Sequence, residues 1–162
     1  MRPAFVGLGS NLARPRQQIE QALEAMGQIS DTQLVRCSSL YASKPMGPHD
    51  QPDYVNAVVE LATGLSPHEL LDALQAIEQR QGRVRKEQRW GPRTLDLDIL
   101  LFADLQFSDE RLTIPHYGLC QREFVVLPLL EIAPTLSLPD GRRLASIATQ
   151  LDRNGLAIIS SQ

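Results

Sequence analysis

The chain has 162 residues, 43% of them apolar and 22% charged, with a formal net charge of -3 at pH 7. Those values describe one globular domain, which can bury roughly 70% of the surface its unfolded chain exposes and needs no disulfide or metal staple. The acidic balance excludes a generic nucleic-acid or membrane-surface protein, and neither a signal-type N-terminal segment nor a run of 18 apolar residues is present, so a monomeric single domain over residues 1–162 in the cytoplasm is expected.

Residues 5–8 read as a short buried strand, running into Gly7-Leu8-Gly9-Ser10-Asn11 and a strand-to-helix turn. Pro15 suits the first turn of a helix that places Ile19, Ala22, Leu23 and Met26 on one face, with Gly27 as its stop. Residues 34–41 form a second strand, followed by a loop from Ser43 to Pro52 in which three prolines forbid regular structure. Over 54–61 the pattern alternates, with Val55, Ala57, Val59 and Leu61 facing the core and Tyr54, Asn56, Val58 and Glu60 opposite. Ser66-Pro67-His68-Glu69 is a capping box opening a helix that turns Leu70, Leu74 and Ile77 inward, with Gln75 and Glu78 on a different face, and ends at Gly82. Residues 94–102 alternate again, with Leu95, Leu97, Ile99 and Leu101 on one side and Asp96, Asp98 and Leu100 on the other. A short strand at 111–114, a helical run over 121–133 broken near Pro128, a turn at Asp140-Gly141 and a weakly patterned tail complete the chain. The order strand, helix, strand, strand, helix, strand predicts an α+β, ferredoxin-like βαββαβ sandwich. Its two helices should cover one face of a mostly antiparallel sheet, with a C-terminal extension packing on the same core.

Asp96-Leu97-Asp98 is the sharpest chemical feature. In a strand, residues i and i+2 point the same way with Cα atoms about 7 Å apart, so two carboxylates converge on one small volume. Such a pair is either a solvated strand face or a Mg²⁺ site completed by water and phosphate. The preceding segment favours the metal, because 80–93 carries Arg80, Arg83, Arg85, Lys86, Arg89 and Arg93 against the single acid Glu87. Of the 16 cations 14 are arginine, the residue suited to bidentate grips on phosphate. The helix end accounts for Arg80, whereas the others lie beyond Gly82 in an arginine-rich loop able to close over phosphates. There is no P-loop, no complete dinucleotide fingerprint and no kinase signature, so phosphates would be held by side chains and metal. His116 is either a core-edge histidine or a phosphate-side donor beside Arg111 and Thr113. Tyr54 and Phe124 are either core aromatics or the walls of a slot for a flat heterocycle, with Asn56 at its edge. Cys37 and Cys120, in no metal-binding spacing, are expected to be reduced and structural.

These motifs resemble the 6-hydroxymethyl-7,8-dihydropterin pyrophosphokinase family of the folate pathway. The runs Gly47-Pro48-His49-Asp50-Gln51-Pro52-Asp53-Tyr54-Val55-Asn56-Ala57, Arg89-Trp90-Gly91-Pro92-Arg93-Thr94-Leu95-Asp96-Leu97-Asp98 and Leu112-Thr113-Ile114-Pro115-His116-Tyr117 carry the likeness. The resemblance implies the same ferredoxin-like fold and transfer of pyrophosphate from ATP to the hydroxymethyl group of the pterin, with release of AMP. It implies two Mg²⁺ ions on Asp96 and Asp98, with Asp96 also on the substrate side. Around ATP it places Gln75, Glu78, Arg85, Arg89, Trp90, Arg93, Ile99, Arg111, Thr113, His116, Tyr117 and Arg122, with Arg85 and Arg93 the rate-critical cations. Ser43, Tyr54, Asn56 and Phe124 would hold the pterin, and Trp90 would close over it. Lys44 stands where the family commonly has proline, which loosens the pterin-side loop, and the tail beyond Asp140 receives no role. The partners are thus ATP and a pterin, with no nucleic acid and no membrane. The competing readings are a ferredoxin-like RNA-binding domain, which lacks its aromatic motif here, and a non-catalytic nucleotide-binding regulatory domain.

Overall fold

The computed structural model describes residues 1–10, 14–43, 54–81 and 95–160. In chain order its elements are β1 (Arg2–Ser10), α1 (Pro15–Met26), β2 (Thr32–Cys37), β3 (Leu40–Ser43), β4 (Tyr54–Thr63), α2 (Pro67–Arg80) and β5 (Asp96–Phe102). They continue with β6 (Phe107–Ser108), β7 (Thr113–Ile114), a 3-10 turn (Leu119–Gln121), α3 (Glu123–Ile132), α4 (Leu144–Thr149) and β8 (Ala157–Ser160). The main sheet runs β5-β1-β4-β3-β8, with β2 on the same edge of β4 as β3, and its pairings are antiparallel. This is the ferredoxin-like α+β sandwich. β6 and β7 form a separate two-stranded ribbon.

The helix-forming signals act as expected. Ser66 Oγ accepts from the Glu69 N–H at 3.2 Å while Glu69 Oε1 accepts from the Ser66 N–H at 2.8 Å, so the capping box closes α2 at its start. Leu70, Leu74 and Ile77 of α2 and Ile19, Ala22 and Met26 of α1 then bury against Ala4, Val6, Val59 and Leu61 of the sheet. Gln81, just past α2, donates to the Gln18 backbone carbonyl at 3.0 Å and ties the two helices together.

The remainder of the chain packs elsewhere than predicted. Val125, Val126, Leu129 and Ile132 of α3, with Leu144 of α4, bury against Phe5, Val58, Leu100 and Leu101 on the opposite face of the sheet. Val58, read as outward-facing, is therefore fully buried. The sheet is covered on both faces, and α3 crosses Pro128 without breaking. Pro128 removes one hydrogen bond, to the Phe124 carbonyl, and lies buried in the helix.

Two strand readings also change. The strand predicted over 34–41 is two strands, because Ser38 takes over the ladder at the bend. Its N–H donates to the Val58 carbonyl at 2.9 Å, and its Oγ accepts the Val58 N–H at 2.9 Å. Ser43 consequently ends β3 and does not open the loop, and Gly9 and Ser10 lie in β1, not in a turn. In β5 the pairing shifts from Phe5↔Leu101 to Val6↔Ile99, leaving Leu100 as an extra residue. That bulge puts Leu101 on the α3 face beside Leu100 and returns Phe102 to the α1–α2 face, against simple alternation.

Candidate active site

The acidic strand ends up beside two glycines. Gly9 pairs with Asn56 on one side and Asp96 on the other, and Gly7 pairs with Val58 and Asp98. Asn56, Asp96 and Asp98 stand on the face opposite Ala57 and Leu97, so one row across the sheet reads Asn56, Gly9, Asp96. A Cβ on Gly9 would lie 3.1 Å from Asn56 Nδ2 and 3.9 Å from the Tyr54 ring. Gly9 therefore makes room for two candidate substrate groups, a role that its reading as part of a turn missed. Asn56 is 6% exposed, and its Oδ1 accepts from Ser43 Oγ at 2.5 Å, which turns Nδ2 toward Gly9.

On the outer edge of β5, Glu78 reaches across from α2. Its side chain is 2% exposed and Oε2 accepts the Leu97 N–H at 2.8 Å, pinning the residue between the two aspartates. Apolar periodicity does not foresee a carboxylate there, because the edge N–H of β5 that it satisfies exists only in the folded sheet. A cleft of about 300 Å³ opens here between α2, β5 and the β6–β7 ribbon. It brings Gln75, Glu78, Asp98 and Ile99 together with Arg111, Thr113, His116 and Tyr117. Arg111 Nη2 donates to Asp72 Oδ1 at 2.6 Å and to Gln75 Oε1 at 3.3 Å, so α2 aims this guanidinium. Asp72 was not singled out in the sequence, where it is one more exposed helix acid.

His116 is held in one tautomer. Nδ1 accepts the Gly118 N–H at 3.1 Å, leaving Nε2 to carry the proton 4.0 Å from Asp98 Oδ2. Burial first, and then the Arg122 charge, push its pKa down to about 4, so the ring is a neutral donor at pH 7. Tyr117 stacks on His116 with centroids 4.6 Å apart, and the Arg122 guanidinium lies 5.5 Å from the Tyr117 ring and 5.8 Å from that of Phe124. A Cβ on Gly118 would come within 2.6 Å of Arg122 Nε, so this glycine admits the arginine. Arg122 thus bridges Tyr117 at the cleft and Phe124 at the start of α3. Lys44, Arg85, Arg89, Trp90 and Arg93 lie outside the described residues.

Among the described residues no group of three or more His, Cys, Asp or Glu side chains forms a metal cage. Asp96 and Asp98 supply two carboxylates on one strand, a donor set that suits a Mg²⁺ ion whose remaining ligands are water and phosphate oxygens. No helix among the described residues is long and apolar enough to cross a membrane.

Residues 5–134 match the family model "7,8-dihydro-6-hydroxymethylpterin-pyrophosphokinase (HPPK)". The chain is 55% identical over 150 residues to the 2-amino-4-hydroxy-6-hydroxymethyldihydropteridine pyrophosphokinase of Haemophilus influenzae, covering 93% of each chain. It is 54% identical over 152 residues to the protein of that name from Pseudomonas aeruginosa, covering 94% of this chain and 93% of that one. Among solved structures, Plasmodium falciparum HPPK-DHPS aligns with a TM-score of 0.73 at 14% identity, over 92% of this chain. This chain spans only 43% of that protein, and the likeness concerns the fold alone. Fold, family model and curated relatives agree, and the chain belongs to the HPPK family of pyrophosphokinases, enzymes of folate synthesis.

Proposed function

We propose that this chain transfers the pyrophosphoryl group of ATP to the hydroxymethyl oxygen of 6-hydroxymethyl-7,8-dihydropterin and releases AMP. The new bond joins that oxygen to the β-phosphorus. The bond between the β-phosphorus and the α–β bridging oxygen breaks, AMP leaves with the bridging oxygen, and the hydroxyl proton passes to solvent. The observation that carries this reading is the row Asn56, Gly9, Asp96, in which a buried amide and the acidic strand are separated by a residue without a side chain. A pterin edge held by Asn56 would set its hydroxymethyl arm toward Asp96.

Asn56 offers its Nδ2 donors and the free lone pair of Oδ1 to the heterocycle, Ser43 holds that amide, and Tyr54 and Phe124 supply aromatic faces. The 300 Å³ cleft receives the nucleotide, with Gln75, Glu78, Ile99, Thr113 and Tyr117 along its walls. Arg111, Arg122 and the neutral His116 donate to it. Arg85, Arg89 and Arg93, with Trp90, of the basic segment would bind the triphosphate, Arg85 and Arg93 meeting the charge that develops as AMP leaves. Two Mg²⁺ ions held by Asp96 and Asp98 would neutralise phosphate charge and lower the pKa of the attacking hydroxyl. The scheme needs one chain, a single domain over residues 1–162 acting as a monomer in the cytoplasm.

The test is incubation with Mg²⁺, ATP and the dihydropterin, followed by separation of the nucleotides. Pterin-dependent AMP without ADP supports pyrophosphoryl transfer. ADP means single-phosphoryl transfer, and no product leaves a nucleotide-binding module.

A further inference from the structure

The last part of the chain lies beyond the family-matched residues, yet it touches both sides of the site. β8 pairs with β3 through Tyr41↔Ile158 and Ala42↔Ala157, one residue before Ser43, whose hydroxyl holds Asn56. Just ahead of β8, Asn154 Nδ2 donates to Glu123 Oε1 at 2.6 Å. The other oxygen of the same carboxylate, Oε2, accepts the Phe124 N–H at 3.2 Å. That N–H belongs to the first turn of α3, where backbone donors have no partner within the helix, so Glu123 both satisfies it and fixes the helix start that carries the Phe124 ring. Asn154 is itself fixed. Its φ is +50°, a left-handed conformation that asparagine tolerates better than most residues, and its N–H donates to Asp152 Oδ1 at 2.7 Å. Arg153 beside it comes near enough to Tyr41 of β3 for its charge to act on the phenol.

One short segment therefore grips β3 on one side and the start of α3 on the other, and these carry Ser43 with its Asn56 partner and Phe124 respectively. We propose that Asn154, acting through Glu123, and β8 form a clamp that sets the spacing between the Phe124 ring and the Asn56 amide, making Asn154 and Glu123 positioning residues for a flat heterocyclic substrate. This rests on the pterin reading above. A planar ligand sandwiched between a ring and an amide edge is sensitive to small displacements of either, since a misplacement of about 1 Å is costly at a reacting centre.

The experiment compares wild-type protein with Asn154→Gly, which keeps the left-handed backbone and removes the side-chain bonds to Glu123 and to the Asp152 carbonyl, and with Glu123→Gln and Glu123→Ala. The KM for pterin, the KM for ATP and the Tm are measured for each. Asn154→Gly and Glu123→Ala should raise the pterin KM roughly five-fold, the scale of one hydrogen bond. The ATP KM should stay within about two-fold, and Glu123→Gln, which keeps an acceptor oxygen, should lie nearer wild type. A fall in Tm with an unchanged pterin KM, or an equal rise in both KM values, would reduce the clamp to ordinary tail packing and overturn it. Wild-type protein that releases no AMP with the pterin removes the pterin reading and the clamp together. Wild-type activity with an unaltered pterin KM in Asn154→Gly removes the clamp alone.

Discussion

Asp98 projects from β5 with nearly half of its side chain exposed, close to a histidine that is neutral at pH 7. In the proposed reaction its carboxylate would hold a Mg²⁺ ion. Asp98→Ala should lower turnover on the order of a hundredfold or more, the cost of losing one preorganised charge partner of the transition state. The check is AMP release across a Mg²⁺ titration, where near-normal rates would refute the metal assignment. Gly9→Ala tests the other half of the row. The added methyl would meet Asn56 Nδ2 at 3.1 Å while Ser43 holds the opposite end of that amide, so the pterin KM should rise about ten-fold with the Tm little changed. At Cys37, burial, reinforced by the Glu131 charge, raises the thiol pKa from 9.0 to about 11. Because the folded value lies above the unfolded one, the stability contributed by Cys37 is complete below pH 9 and is lost as the pH rises through 11. Iodoacetamide at pH 8 should accordingly label Cys37 slowly, and Cys120→Ser should remove any fast phase. Fast labelling in that variant would contradict the shift.

At the scale of elements, α3 turns a two-layer sandwich into a sheet covered on both faces. Leu129 is fully buried there against the sheet side chains around Val58 and Leu100. Leu129→Ala should cost about 2–5 kcal/mol, read by denaturant unfolding, because it leaves a cavity that two packed layers cannot collapse. Loss below about 1 kcal/mol would show α3 to be loosely seated. The near-face elements were legible in the sequence because each carries its own local signal, such as the capping box at Ser66 and the alternation of Val55, Ala57 and Val59. The broken strand at Ser38 and the unbroken helix at Pro128 were not. In both cases a local cost, a lost ladder bond or a missing N–H, is borne in a fold whose packing joins segments distant in sequence.

For the whole molecule, the two hydrophobic clusters share one sheet, with β1, β4 and β5 contributing to both. Unfolding should be one cooperative transition with calorimetric and van't Hoff enthalpies in agreement, near 110 kcal/mol on the ordinary per-residue scale around 60 °C, about 0.7 kcal/mol for each of the 162 residues. Two resolved peaks in calorimetry would mean that α3, α4 and the tail form a separable unit.

Legible along the chain were the ferredoxin-like order of elements, the acidic pair at Asp96 and Asp98, the basic segment before it and the family. The order, the pair and the segment follow from spacing, periodicity and residue type within short stretches, and the family from the resemblance of its motifs. Only packing across the fold sets Gly9 between Asn56 and Asp96, Glu78 on the Leu97 N–H and the tail against Glu123. Each of these joins residues through strand register or packing between elements, and cross-strand neighbours separated by 40 residues or more leave no periodic trace along the chain.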